Sequence, residues 1–409
     1  MTLLVVYNPV SGNSSGREIV DGQVLPLLKT RGVEPDKVIG TEHVGHAGTI
    51  VADFASASPA NSDLNIVLVS GDGTLHEIVN ALHDRSWPSP LNLKLALIPG
   101  GTANALHSSF FPPVPGSETT LSSVYALLDS DQRLTPLALA YTTISASPLS
   151  PAGEQTSVLS AVVASTSLHA SILLDAEALR ATVPSIERFK LAAAQNATRW
   201  YNARLRLLPA PATSDPPSGA PAPVLQYDPP LDQFVAAPSP AATSGDEGPT
   251  AALELSGPFA YMLSTVNVDR LEPAFRITPL QRAHPPVPPA TADIVVVRPS
   301  RDPSVKDSSD AEREKFKDKV WATMGGAYQD GAHVRSTYAE DGSIVSTGTG
   351  QPVVEYFRAG GWEWIPDEDD DRAHYVCADG AIHTIPKGGK ATTRVLGKAE
   401  LGFTISLYT

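Results

Sequence analysis

Four short apolar runs constrain this chain more than any other feature. "LLVVY" (3–7), "NIVLVS" (65–70) and "LKLALIP" (93–99) are continuous rather than alternating, and "DKVIG" (36–40) is a weaker fourth. Runs of this kind fit strands buried on both faces of a parallel sheet. Between them, residues 17–30 carry Ile19, Val20 and Val24, and residues 44–55 carry Val44, Ala47, Ile50, Val51 and Phe54 near the i, i+3, i+4, i+7 helical pattern. The order predicts a doubly wound α/β domain over residues 1–133.

After Leu134 the texture changes to strand-like pieces separated by Gly, Pro and Asp turns, among them "FAYMLSTVNV", "ADIVVVRPS" and "YVCADGAIHTI". These predict a mostly antiparallel, sandwich-like β domain over 134–409, and two domains suit a chain of 409 residues. Within it, 309–324 predicts an amphipathic helix whose Phe316, Val320, Trp321 and Met324 pack on the sheet. Trp362 and Trp364, two apart, share one strand face. Of the 37 prolines, 11 fall within 209–249, which reads as a flexible insertion. "DEDDD" (367–371) reads as a solvated loop.

A formal net charge of −14 with no long Lys/Arg run argues against nucleic acid as a partner. The single cysteine, Cys377, allows no intrachain disulfide and matches no metal-ligand spacing, which fits a reducing, cytoplasmic setting. The start "MTLLVVYNPVSG" lacks the basic region of a signal peptide. The apolar segment "VLSAVVASTSLHASILL" carries His169 and several hydroxyls, so membrane contact is expected to be peripheral.

Open α/β sheets bind ligands at the carboxyl ends of their strands, and three glycine-rich loops fall there: "NPVSGNSSG" (8–16), "SGDGT" (70–74) and "PGGTAN" (99–104). Glycine lets backbone N–H groups approach phosphate oxygens, and a following helix start adds a favourable dipole. None of the loops is a Walker loop, since three residues rather than four separate Gly12 from Gly16 and Arg17 stands where lysine would be. Gly71 and Gly73 permit a tight turn that presents Asp72 to the crevice, with Leu75, Ile78, Val79 and Leu82 anchoring the helix behind it. Thr74 and Glu77 fit a capping box, and His76 faces away from the apolar stripe. A carboxylate beside phosphates, with neither a nucleophilic cysteine site nor a serine-histidine triad signature, suits phosphoryl transfer from a nucleotide to a hydroxyl.

"YNPVSGNSSG", "TEHVGHA" (41–47), "VSGDGTLHEIVNAL" and "IPGGTANAL" stand in the order and spacing of the diacylglycerol kinase catalytic-domain superfamily, which this chain resembles. Blocks at 167–193, 259–279, 293–298 and 377–385 are similar to sphingosine kinases. The resemblance implies an ATP-dependent lipid kinase that uses Mg²⁺, holds its nucleotide between the domains and buries an acyl chain in the second. It makes Asp72 the general base. It maps nucleotide contacts to Asn8, Gly12 and Gly16, to Thr41, to Ser70, Gly71 and Gly73, to Gly100, Gly101 and Thr102, to Arg188 in "ERF", and to Gly380. Counting back without gaps from "ERF" maps the residue that meets the headgroup of a sphingoid base to Asp175, whereas anchoring on His169-Ala170 shifts it toward Leu173 or Glu177.

Two departures from the family pattern stand out. The family's C-terminal D-G-E triplet is Asp379-Gly380-Ala381 here, and Ala138 replaces an aspartate common in relatives. No metal ligand is assigned. A sphingoid base is the favoured acceptor, with diacylglycerol, other acylglycerols or ceramide as alternatives. An NAD-kinase-type small-molecule kinase would share the G-D-G-T element, and a non-catalytic lipid- or nucleotide-binding pseudokinase would explain the two alanines. Acyl-chain preference, membrane targeting and oligomeric state are left open.

Overall fold

The computed structural model describes residues 2–59, 62–146, 155–183, 185–211, 221–238, 252–287, 290–396 and 400–409. The expected α/β layer is present. Strands Lys37–Gly40, Leu3–Tyr7, Asp63–Ser70 and Leu91–Pro99 lie side by side in that order and pair in parallel. Their side chains are buried on both faces in the two central strands, which is why those runs do not alternate. Helix His46–Ala57 packs on helix Asp72–His83, and both bury an apolar face in the core. The first crossover is helical over residues 16–30 but opens into a π turn at Val20–Val24, just before Pro26, which has no N–H to give a helix.

The chain returns to this sheet at its end. Phe403–Tyr408 pairs in parallel with Leu91–Pro99, and Leu134–Pro136 pairs antiparallel with Phe403–Tyr408. The sequence division at 133/134 placed both segments with the second domain; pairing across most of the chain's length was invisible to local periodicity. Tyr408, fully buried, bonds Asn65 through its hydroxyl, and its carbonyl accepts from Ser123 Oγ at 2.8 Å.

The rest is antiparallel, as expected. An eight-stranded sheet runs from Gln233–Ala236 through Leu225–Asp228, Glu355–Ala359, Ala292–Val297, Tyr261–Thr265, Val163–Thr166 and Tyr375–Ala378 to Ala381–Thr384. A six-stranded sheet comprises Leu253–Ser256, Ala203–Leu208, Gly361–Pro366, Lys390–Leu396, Leu139–Ser145 and Gln155–Ser160. Trp362 and Trp364 are both fully buried; Trp362 Nε1 donates to Ser264 Oγ at 2.9 Å and so links the two sheets. The pair belongs to the core.

Three local expectations change. Part of the proline-rich stretch is ordered: Leu225–Asp228 and Gln233–Ala236 form a hairpin on the edge of the larger sheet, with Arg358 stacked 4.2 Å from the Phe234 ring centroid. The remainder of that expectation, 212–220 and 239–249, lies outside the described residues. In "DEDDD", Asp370 is no free surface acid; it accepts from Asn202 N (2.7 Å) and Ala373 N (3.2 Å) and pins its loop. The predicted helix spans Asp310–Tyr328 and buries Phe316 and Val320, while Trp321 turns outward at 38% exposure. Trp200 meets Phe316 edge-on at 5.7 Å.

Candidate active site at the strand ends

The three glycine-rich loops converge at the carboxyl edge of the parallel sheet, backbone against backbone. A Cβ on Gly12, whose φ is +55°, would stand 2.7 Å from Gly100 O; one on Gly71 would stand 2.8 Å from Ala103 O; one on Gly101 would stand 2.3 Å from Gly71 Cα. Glycine is needed because the loops leave no room for side chains between them. Gly16 packs the same way against Asn8 O at 2.6 Å, whereas Gly73 is open on all sides. Gly100 N donates to Ser70 O at 3.2 Å. Asn104 ties the third loop to itself through Gly101 N (3.0 Å) and Gly101 O (2.8 Å). Thr102 is exposed on the rim. Thr41 is buried at the end of the edge strand, its N–H on Tyr7 O.

Asp72 opens helix Asp72–His83, with Gly71 as the residue before it. The helix begins three residues earlier than a Thr74 cap would allow. Thr74 therefore lies inside the first turn, where its hydroxyl meets Ser70 Oγ at 2.6 Å, and the capping box does not form. The Asp72 carboxylate crosses to the third loop and accepts from the first two amides of helix Ala105–Phe110, Ala105 N at 2.6 Å and Leu106 N at 3.3 Å. Burial pushes its pKa up to about 7; the two amides oppose the rise and the charge of Asp379 adds to it. His107, in the same small cavity, is pushed down to about 4 by burial.

The second domain closes on this corner. Asp379, at the tip of hairpin Tyr375–Thr384, has a fully buried side chain that accepts from three successive amides, Ala161 N (2.6 Å), Val162 N (2.9 Å) and Val163 N (2.8 Å). Gly380 follows at φ +98° with open space around it. Asn267 clasps Ala138 through both its backbone groups and also donates to Ala161 O. Ser109 and Arg282 join helix Ala105–Phe110 to the loop after Tyr261–Thr265. His76, Asn80 and Asn104 carry much of this architecture and were not singled out as site residues. For the first two, the spacing Asp72, His76, Asn80, four apart each time, was the signal available.

Two further predicted residues lie on helices of the second domain. Arg188 is buried in helix Glu187–Asn196, donates to Ser185 O at 3.0 Å and lies 4.5 Å from the Phe189 ring centroid. Asp175, on helix Ser167–Leu179, is engaged on both oxygens, by Arg372 Nη1 (2.9 Å) and Asn196 Nδ2 (2.7 Å). Arg372 precedes strand Tyr375–Ala378, and Asp379 follows it; four strand residues at ~3.3 Å each separate the two ends by roughly 13 Å. Of the two carboxylates, Asp379 is the one whose charge acts on Asp72.

With that geometry in view, the relatives of the chain are informative. Residues 2–133 match the profile of the diacylglycerol kinase catalytic domain. The N-terminal third of this chain is similar to the diacylglycerol kinase catalytic domain. The match takes in all three glycine-rich loops and Asp72. Sphingosine kinase 2 of Arabidopsis thaliana is 30% identical over 210 residues, 51% of this chain and 40% of that protein. Sphingosine kinase 1 of Rattus norvegicus is 34% identical over 108 residues, 26% of this chain and 27% of the other. The matched regions thus span less than half the length of these relatives. A crystal structure of a diacylglycerol kinase from Bacillus anthracis superposes with a TM-score of 0.50 at 13% identity, covering 100% of this chain and 97% of that one, so the fold extends beyond the catalytic domain.

Among the described residues no group of three or more His, Cys, Asp or Glu side chains is placed to hold a metal. Ala381 stands where the resemblance leads one to expect glutamate; Mg²⁺ commonly binds through nucleotide phosphates and a few carboxylates. No helix among the described residues is long and apolar enough to cross a membrane.

Proposed function

We propose that the protein is an ATP-dependent lipid kinase that transfers the γ-phosphate to a lipid primary hydroxyl, with Asp72 as general base. Residues 1–133 hold the nucleotide and 134–409 the lipid, at a membrane surface reached from the cytoplasm. The observation that carries this reading is the Asp72 carboxylate, fixed by two amides at the meeting point of the glycine-rich loops and poised near neutral pH. A base works best when its pKa lies near the working pH. In the transfer, the lipid oxygen forms its bond to the γ-phosphorus as its proton passes to Asp72, and ADP leaves with the electrons of the broken P–O bond. Gly12, Gly71, Gly73, Gly100 and Gly101 of the three loops, together with Asn8, Gly16, Thr41, Ser70, Thr102, Arg188 and Gly380, line the nucleotide side in this reading. Mg²⁺ travels with the nucleotide, and no step is assigned to it.

Similarity to sphingosine kinases favours a sphingoid base as acceptor. In that case Asp175 receives the ammonium only by exchanging Arg372 for it. The engagement of Asp175 by Arg372 and Asn196 supports a second reading, a neutral acylglycerol or ceramide, which makes no such demand. Transfer of labelled phosphate from ATP to sphingosine, diacylglycerol, monoacylglycerol and ceramide in mixed micelles, with Asp72→Asn alongside, tests both. Labelling that survives the substitution removes Asp72 as base, and nucleotide binding with no labelled lipid removes the kinase reading.

A further inference from the structure

Helix Ala105–Phe110 carries the Asp72 carboxylate on its first two amides and is anchored at its other end by the second domain. Ser109 receives both anchors. Its Oγ accepts from Asp269 N at 3.3 Å, and its carbonyl accepts from Arg282 Nη1 at 3.0 Å. Both partners follow strand Tyr261–Thr265, far beyond the residues matched to the catalytic domain. A first-domain contact holds the middle of the helix, where His107 Nε2 stands 3.2 Å from Thr119 O. The anchoring loop is itself fixed. Asp269, 1% exposed, accepts from Arg270 Nε (2.9 Å), Arg270 Nη2 (3.1 Å) and Arg276 Nε (2.9 Å). Arg276 N donates to Ala327 O on helix Asp310–Tyr328 at 3.0 Å, and Thr278 N donates to Asp269 O at 3.1 Å. A buried carboxylate between two guanidiniums resists displacement, because parting them strands a buried charge.

We propose that Ser109 and Arg282 are positioning residues for Asp72: they hold helix Ala105–Phe110 from its far end, so that the second domain sets where the catalytic carboxylate stands. This rests on the reading of Asp72 as general base. From Ala105 to Ser109 the helix rises about 6 Å at ~1.5 Å per residue, little more than one turn. A shift at Ser109 therefore reaches the two amides with little loss. Those amides hold both carboxylate oxygens, Oδ2 on Ala105 N and Oδ1 on Leu106 N. Losing their alignment turns the carboxylate away from the acceptor hydroxyl, and a misplacement on the order of 1 Å costs up to ~10²-fold in rate. Ser109 is buried, whereas Arg282 is exposed outside its contact. Arg282 can therefore be changed without opening the core.

The test compares Ser109→Ala, Arg282→Met, their combination and Arg282→Lys in the full chain. Methionine keeps the length of the side chain without its donors, and lysine keeps one donor for the carbonyl. One readout needs no substrate: hydrogen exchange at the amides of Ala105 and Leu106. The other is kcat and KM for ATP in lipid phosphorylation. The double variant should exchange several-fold faster at these amides and lose about ten-fold in kcat at unchanged KM for ATP. Arg282→Lys should recover both losses seen in Arg282→Met. A lower melting temperature with natural exchange at these two amides and natural kcat is what a merely structural contact gives, and it overturns the proposal. A raised KM for ATP with kcat intact, or a loss that lysine does not recover, overturns it as well. If the double variant does not fold, Arg282→Met against Arg282→Lys decides alone. Faster exchange that lysine reverses, in a protein that labels no lipid, upholds the anchoring of the helix and removes the kinase reading instead.

Discussion

Gly101→Ala is the sharpest probe of the loop junction. The new Cβ would stand 2.3 Å from Gly71 Cα, 2.7 Å from Gly71 N and 3.1 Å from Ala103 O, all backbone atoms of the neighbouring loops. Ordinary contact begins at 3.4 Å, so the second and third loops must part by about 1 Å, a kind of overpacking that typically costs ~1–3 kcal/mol. That displacement separates the start of helix Asp72–His83 from Ala105 N and Leu106 N, which hold the carboxylate. A misplacement of this size can cost ~10²-fold in rate. Gly73→Ala is the internal control, since nothing lies within 4 Å of its Cβ and alanine is better than glycine inside a helix by ~1 kcal/mol. The measurements are thermal melting, nucleotide binding and phosphate transfer on both variants. Gly101→Ala should melt lower and lose about two orders of magnitude in transfer, while Gly73→Ala should melt no lower. A Gly101→Ala protein with unchanged melting and turnover would falsify the convergence of the loops.

Other outcomes are expected. The natural protein should lose kcat/KM as pH falls through about 7, because Asp72 must be ionised to act; Asp72→Asn should lower kcat by ~10²–10⁴. Because the folded-state pKa of Asp72 lies above its unfolded value, its contribution to stability is full below about pH 4 and is lost as pH rises through 7; Asp72→Asn should therefore melt higher than the natural protein at pH 8, and equal melting would refute the raised pKa. Asp175→Ala should leave Arg372 facing an empty position and cost about 1–2 kcal/mol, given the partial exposure of both side chains; a raised KM for sphingosine with unchanged melting would instead mark a headgroup ligand. Deleting 221–238 should abolish soluble protein, because it strips the hairpin with buried Tyr227 from the sheet edge; a soluble, active deletion variant would show the hairpin to be dispensable.

Much of the first domain was legible because its information is local. Continuous apolar runs, helical spacing and glycines at strand ends are properties of neighbouring residues, and they located the parallel strands, the three loops and Asp72. The glycines also announced close backbone approach, since no other residue tolerates it. What the loops approach was decided elsewhere: Gly12 meets Gly100 and Gly71 meets Gly101 only because parallel pairing brings those strand ends into one plane. The same holds for charge. Sequence spacing identified Asp72, but its proton affinity depends on burial and on Asp379, which arrives from more than 300 residues away on a hairpin of the second domain. Asp175 shows the converse, since the ungapped count from "ERF" assigned its carboxylate to a headgroup and tertiary packing supplied Arg372 and Asn196 to engage it. The return of Phe403–Tyr408 to the first sheet is of that kind too: a strand's pattern reports how many of its faces are buried, and only the packed chain selects the neighbour it pairs with.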